Sequence, residues 1–207
     1  MNAGEQVGSA AKDAVSAVTS LLTNPVGALQ AGYNALGPAR AQAAGAALCV
    51  MFAIIAPLGV LINGPDVFAL LGLGLGLYAE SNFGIFIRVV LAMLILAAAM
   101  IAASLGVRKV ASSQAPIAAD IYGVGAALTP LGLGMFLSSF LHGSPELGML
   151  LMVFASCYVV LILFAAFTRI GGVSEKIAAP GVPAVFVVSL YICKVILGAM
   201  TGGPNGL

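Results

Sequence analysis

Five stretches of this chain are apolar over about 20 consecutive residues, and that length constrains everything else, because a helix needs roughly that many to cross a hydrocarbon core of ~30 Å. They run near Ala43–Ile62, Gly84–Leu105, Ile117–Leu141, Leu147–Thr168 and Val182–Met200. Turn-forming and polar residues separate them: Asn63-Gly64-Pro65-Asp66, the stretch from Gly106 to Pro116, His142-Gly143-Ser144-Pro145, and Gly171 through Lys176. Composition agrees, since 61% of the 207 residues are hydrophobic and 7% are charged, against roughly 25% charged in a soluble domain. A water-soluble globule and a disordered chain are excluded. The expected fold is an all-α, polytopic transmembrane helix bundle of about five spans.

One apolar run does not fit the scheme. Val67–Tyr78 is twelve residues long, too short to cross, and such runs beside true spans are interfacial or re-entrant. Gly72, Gly74 and Gly76 each weaken a helix there by roughly 1 kcal/mol. The segment 67–78 reads as a membrane-surface hairpin or half-helix.

Basic residues of short loops stay in the cytoplasm, which orients the chain. With the N-terminus inside, Lys12, Arg40, Arg108, Lys109, Arg169 and Lys176 all lie inside. The loops near 63–83 and 142–146 and the tail after Met200 hold no lysine or arginine. The N-terminus is therefore expected in the cytoplasm and the C-terminus outside, with the protein a multi-pass component of a membrane (the inner membrane, for a bacterial cell). Met1–Gly8 carries no basic stretch ahead of an apolar one, so the first span is the expected insertion signal rather than a removable leader.

Residues 1–40 are a different material from the five-span domain of 41–207. Ala11, Val15, Val18 and Leu22 recur at helical spacing with Lys12, Asp13, Ser16 and Thr19 off that stripe. Asn24 can cap, and Pro25 can start, a second short helix carrying Leu29, Tyr33 and Leu36 on one side and ending at Gly37-Pro38. Two short amphipathic helices on the cytoplasmic leaflet are expected, held by apolar contact because so few of their residues are basic.

Ionisable residues inside spans are the candidate functional positions, since a charge at the bilayer centre costs about 2.5–3.5 kcal/mol on translocon scales. Arg88 lies a turn or so into the second span, and snorkelling accounts for it. Lys194 lies deeper, in the fifth span, and wants a partner; Glu80 and Glu146 at the outer boundary are the candidates. Such a pair could clamp helices, or an open Lys194 could bind an anion. Asp120 opens the third span, where a carboxylate in the first turn complements the helix dipole.

Small residues carry the remaining signal. Gly123, Gly125, Gly132 and Gly134 in the third span, with the alanines between Ala97 and Ala103 in the second, permit close helix approach. Pro57, Pro130 and Pro183 fall within spans one, three and five and can kink them. Cys49, Cys157 and Cys193 sit in spans without the spacing of a zinc or redox site. His142 stands alone in an outer turn, so neither a metal site nor a nucleophile–base pair is expected. Phosphate loops, zincin helices and nucleophile elbows are absent, as is any basic patch for nucleic acid. No catalysis, no cofactor and no nucleic-acid partner are expected.

A cytoplasmic N-terminus, five closely spaced spans and a very short outer tail, together with the Leu21-Leu22-Thr23-Asn24-Pro25-Val26-Gly27-Ala28-Leu29 segment ahead of span one, resemble the Yip family of Rab/Ypt-interacting membrane proteins, its bacterial members above all. The Asp-Leu-Tyr-Gly-Pro motif of eukaryotic members precedes span one. Here the similar Asp120-Ile121-Tyr122-Gly123 opens span three and lacks the proline. The resemblance implies a non-catalytic membrane adaptor and assigns no functional residue.

Two functions follow as expectations. One is a scaffold or assembly subunit that contacts lipid and protein partners, or further copies of itself, through small-residue helix faces. The other is a small transporter or channel using Lys194 and glycine-rich broken helices. A continuous polar cavity reaching the bilayer midplane distinguishes the second from the first.

Overall fold

The structure is a computed structural model that describes residues 3–63, 82–141 and 143–201. The short segment 67–78, Glu80 and His142 lie outside the described residues. Among the described residues there are six α-helices and no strand: α1 (Ala3–Thr23), α2 (Pro25–Asn63), α3 (Asn82–Val110), α4 (Ile117–Ser138), α5 (Pro145–Ala165) and α6 (Glu175–Thr201). A five-residue π-helical turn, Ala166–Ile170, ends α5. Five helical stretches, one in each of α2 to α6, are long and apolar enough to cross a membrane. The chain is a multi-pass helical bundle.

The N-terminal region follows from its caps. Asn24 Oδ1 accepts a 2.9 Å hydrogen bond from the Gly27 amide, filling one of the donors that a helix start leaves free. Pro25, which has no amide hydrogen to lose, is the first helical residue. Helix α2 is interrupted at Gly37, with φ 70° and ψ 164°. That conformation is essentially reserved for glycine, and Pro38 then restarts the helix that crosses. Leu29 is fully buried, with Tyr33 and Leu36 packed against the core.

Helix α1 is rotated from the sequence expectation. Its buried stripe is Ala14, Ala17/Val18 and Leu21, while Ala11 and Val15 are exposed. Asp13, next to buried Ala14, binds the Arg40 guanidinium with bonds of 2.8 and 3.2 Å.

Helix α4 is the axis of the bundle, with two-thirds of its span buried. It packs chiefly on α2 and α5, while α3 packs on α6 and on α2. Glycine sets the α2–α4 distance: a Cβ on Gly125 would lie 2.3 Å from the Gly45 carbonyl oxygen, and one on Gly45 would lie 2.5 Å from Tyr122 Cα. The two backbones touch. Further along, Gly132 meets the Phe52 ring, and Gly59 meets the Met135 carbonyl. Large apolar side chains such as Leu91, Leu150, Phe154, Val187 and Tyr191 point away from the core, as expected where lipid replaces water around the bundle.

Helix ends differ from the hydropathy boundaries. Helix α3 continues through Gly106 to Val110, and α6 starts at Glu175. Arg108 and Lys109, expected in a loop, therefore occupy the last turn of α3. A hydropathy window ends a span at its first charge, but a helix ends where its hydrogen bonds do, and cations are stabilising in a last turn.

Candidate functional site

Where α3 ends and α4 begins, an arginine and an aspartate are buried together. The Arg108 and Asp120 side chains are only 6% and 1% exposed. Arg108 Nε donates to Asp120 Oδ1 at 2.7 Å, and its Nη2 donates to Oδ2. The Ser104 hydroxyl donates to Oδ1 at 2.6 Å, and Arg108 Nη1 donates to the Ala115 carbonyl. Both carboxylate oxygens are occupied, so the buried charges are paired and hydrogen-bonded, as such charges must be.

Local sequence builds this arrangement. Ser104 and Arg108 are four apart on α3 and so share a face. The chain then reverses: Ser112 adopts φ 55°, and the Ser112 and Ser113 amides bond to the Lys109 and Arg108 carbonyls at 3.1 and 3.0 Å. Pro116 precedes α4 and brings Asp120 back opposite Arg108. The Ser113 hydroxyl donates to the Gly171 carbonyl, tying this turn to the end of the π turn. There the Gly171 amide bonds to Ala166 O at 2.7 Å and the Val173 amide to Phe167 O at 2.9 Å. Gly171 has to be small, because a Cβ there would lie 2.8 Å from the Phe167 carbonyl oxygen, with Arg108 Cδ at 3.3 Å on another side. The void beside the pair is about 10 Å³, roughly the room one water needs.

Two tyrosines continue the cluster toward α1. Tyr33 and Tyr122 stack tilted at 54° with ring centroids 5.8 Å apart. Tyr122 is 1% exposed, and its hydroxyl abuts Gly32, where a Cβ would come within 2.6 Å. The Tyr33 hydroxyl is buried and has no hydrogen-bond partner among the described residues.

The sequence-derived positions separate into three groups. Asp120 belongs to the buried pair, so its carboxylate answers Arg108 and Ser104 in addition to the helix dipole. Arg88 and Lys194 are on the outside of the bundle: Arg88 near the start of α3, Lys194 on an exposed face of α6. Lys194 has no ion-pair partner among the described residues. Glu146, one of its candidate partners, is an exposed residue in the first turn of α5. The α4 glycines serve two interfaces. Gly125 and Gly132 face α2, whereas Gly123 and Gly134 meet Ala166 and Ala155 on the α5 side at 2.7 and 2.8 Å from an added Cβ. Cys49 and Cys193 are buried and Cys157 is exposed. No group of three metal-ligating side chains occurs among the described residues.

Sequence reasoning missed Arg108 and Ser104. The signal was present in their spacing of four and in a turn short enough to return Asp120 to them. It was masked by assigning Arg108 to a loop. Chemically the cluster neutralises and fastens: it joins α3 to α4 and, through Ser113, to the turn after α5. No protein-family model, curated protein or solved structure matches this chain.

Proposed function

We propose that the protein is a non-catalytic scaffold or assembly subunit of a membrane complex, oriented with its basic end in the cytoplasm. The observation that carries this reading is the outward face of α6. This helix is the least buried of the five spans, at 22%, and Lys194 lies exposed on it among Tyr191, Val187 and Ile196. Lys194 lies seven positions before Thr201, about 10 Å of helix. Snorkelling brings the ammonium part of that way to the surface, and a carboxylate on a neighbouring chain would remove the rest of the desolvation cost. The transporter reading draws on Lys194, the glycine-rich segment 67–78 and the proline-broken spans; of these, Lys194 stands on the perimeter of the bundle.

The core points the same way. Backbone contact at Gly45 and Gly125 and a charge pair whose oxygens are all engaged favour a rigid body over an alternating one. The occupant of the α6 face is a second copy or another membrane protein. The adaptor role that the Yip resemblance implies is of this kind.

Site-specific photo-crosslinking in native membranes tests the reading. Probes at Val187 and Tyr191 on α6 should capture a discrete protein, with capture lost in Lys194→Met. Probes at Leu150 and Phe154 on α5 should give lipid adducts. Lipid adducts from all four positions would overturn it.

A further inference from the structure

Between the last turns of α3 and the first two-thirds of α6 runs an open apolar groove of about 540 Å³. The two helices touch at its floor, where a Cβ on Gly181 would lie 2.8 Å from Val107 Cγ1. Ala103, Gly106 and Val110 form one wall, and Ile177, Ala184 and Ile192 the other. From Ile177 to Ile192 the groove follows about 22 Å of helix, more than the ~15 Å depth of one leaflet's half of the hydrocarbon core. Small residues on the walls keep it open along that length.

Its mouth is at the basic end of the bundle. Lys109 adjoins the wall residue Val110, Lys176 adjoins Ile177, and both lysines are exposed, as is Arg169 in the π turn. Glu175 is the exposed carboxylate beside them. Asp13 and Asp120 are held by Arg40 and Arg108. Lys109 in the last turn of α3 and Lys176 in the first turn of α6 are thus the exposed cations next in sequence to a slot lined by apolar residues.

We infer that this groove binds an anionic phospholipid, one acyl chain lying along the α3–α6 slot and the phosphate held between Lys109 and Lys176. Basic clefts between transmembrane helices at the cytoplasmic side suit anionic head groups, each lysine near such a surface contributing roughly fivefold in binding. The apolar slot alone accepts the chain of any lipid, so selectivity rests on the two lysines. The inference rests on the cytoplasmic orientation of the basic end proposed above, and the groove's far end at Val188 and Ile192 adjoins the α6 face assigned there to a partner.

Native mass spectrometry of the full chain, equilibrated with equal phosphatidylglycerol and phosphatidylcholine, is the test. The wild-type protein should retain one phosphatidylglycerol in preference to phosphatidylcholine. The double variant K109Q/K176Q should lose that preference by roughly 25-fold while still retaining lipid. Gly106→Leu should retain neither. A Cβ on Gly106 meets nothing within 4 Å, so leucine fills the slot without disturbing the fold, and an unchanged melting temperature verifies this. The inference is overturned if the wild type retains no lipid or retains both equally. It is also overturned if Gly106→Leu still binds, or if a protein partner occupies the groove in place of lipid.

Discussion

Removing one partner of the Arg108–Asp120 pair should damage the protein far more than removing both. In Asp120→Ala the guanidinium keeps its charge at a site where it is 6% exposed and retains a single acceptor, the Ala115 carbonyl. In Arg108→Met the carboxylate, 1% exposed, is left with the Ser104 hydroxyl alone. Breaking a buried pair in this way costs about 3–5 kcal/mol. For a chain of this size each kcal/mol moves the midpoint by roughly 2–4 °C, so each single variant should melt ~6–20 °C below wild type. The double variant Arg108→Met/Asp120→Leu removes both charges and refills the volume. Such replacements are neutral or stabilising by about 1–4 kcal/mol in other proteins, so it should lie near or above wild type. Ser104 then loses its acceptor, which offsets some of the gain. The assay is thermal unfolding in detergent, followed by a thiol-reactive dye. Cys49 and Cys193 are buried and report opening, while exposed Cys157 gives the constant background. Single variants within 1 °C of wild type, or a double variant as impaired as the sum of the singles, would refute the assignment of this pair as the fastening between α3 and α4.

Gly125→Ala should destabilise by about 1–3 kcal/mol through overpacking, because its methyl would sit 2.3 Å from the Gly45 carbonyl oxygen. Gly106→Ala, facing open space, should instead gain up to about 1 kcal/mol of helix propensity; the same thiol assay separates the two. Gly37→Ala should cost about 1–3 kcal/mol because only glycine holds φ 70° with ψ 164° easily. It should also loosen α1, read as faster proteolysis near its end. Arg40→Gln breaks the link to Asp13, but Arg40 is 61% exposed. Its effect on the melting midpoint should stay within that of an exposed pair, about 0–1 kcal/mol.

Hydropathy made the five spans legible because each apolar run meets the bilayer thickness on its own. Asn24 and Pro25 made the start of α2 legible for an equally local reason, since a cap depends on residues within one turn. What stayed hidden depends on rotation about a helix axis. Span two and span five are apolar on all sides, so nothing in their periodicity shows that Lys194 faces out or that Arg108 faces in. Helix α1 has a clearer stripe, yet its buried side falls about one position from the expected one, since the partners that bury it, such as α2, are distant in sequence. The glycines of α4 were visible as small residues. Their division between α2 and α5 was not, because it rests on which neighbours stand on either side.

The mass of the protein extracted in native nanodiscs bears most directly on the central proposal. A complex of fixed integer stoichiometry, built on α6 and dispersed by Lys194→Met without loss of folding, is the expected result. A monodisperse single copy, unchanged by that substitution, would contradict the assembly-subunit reading.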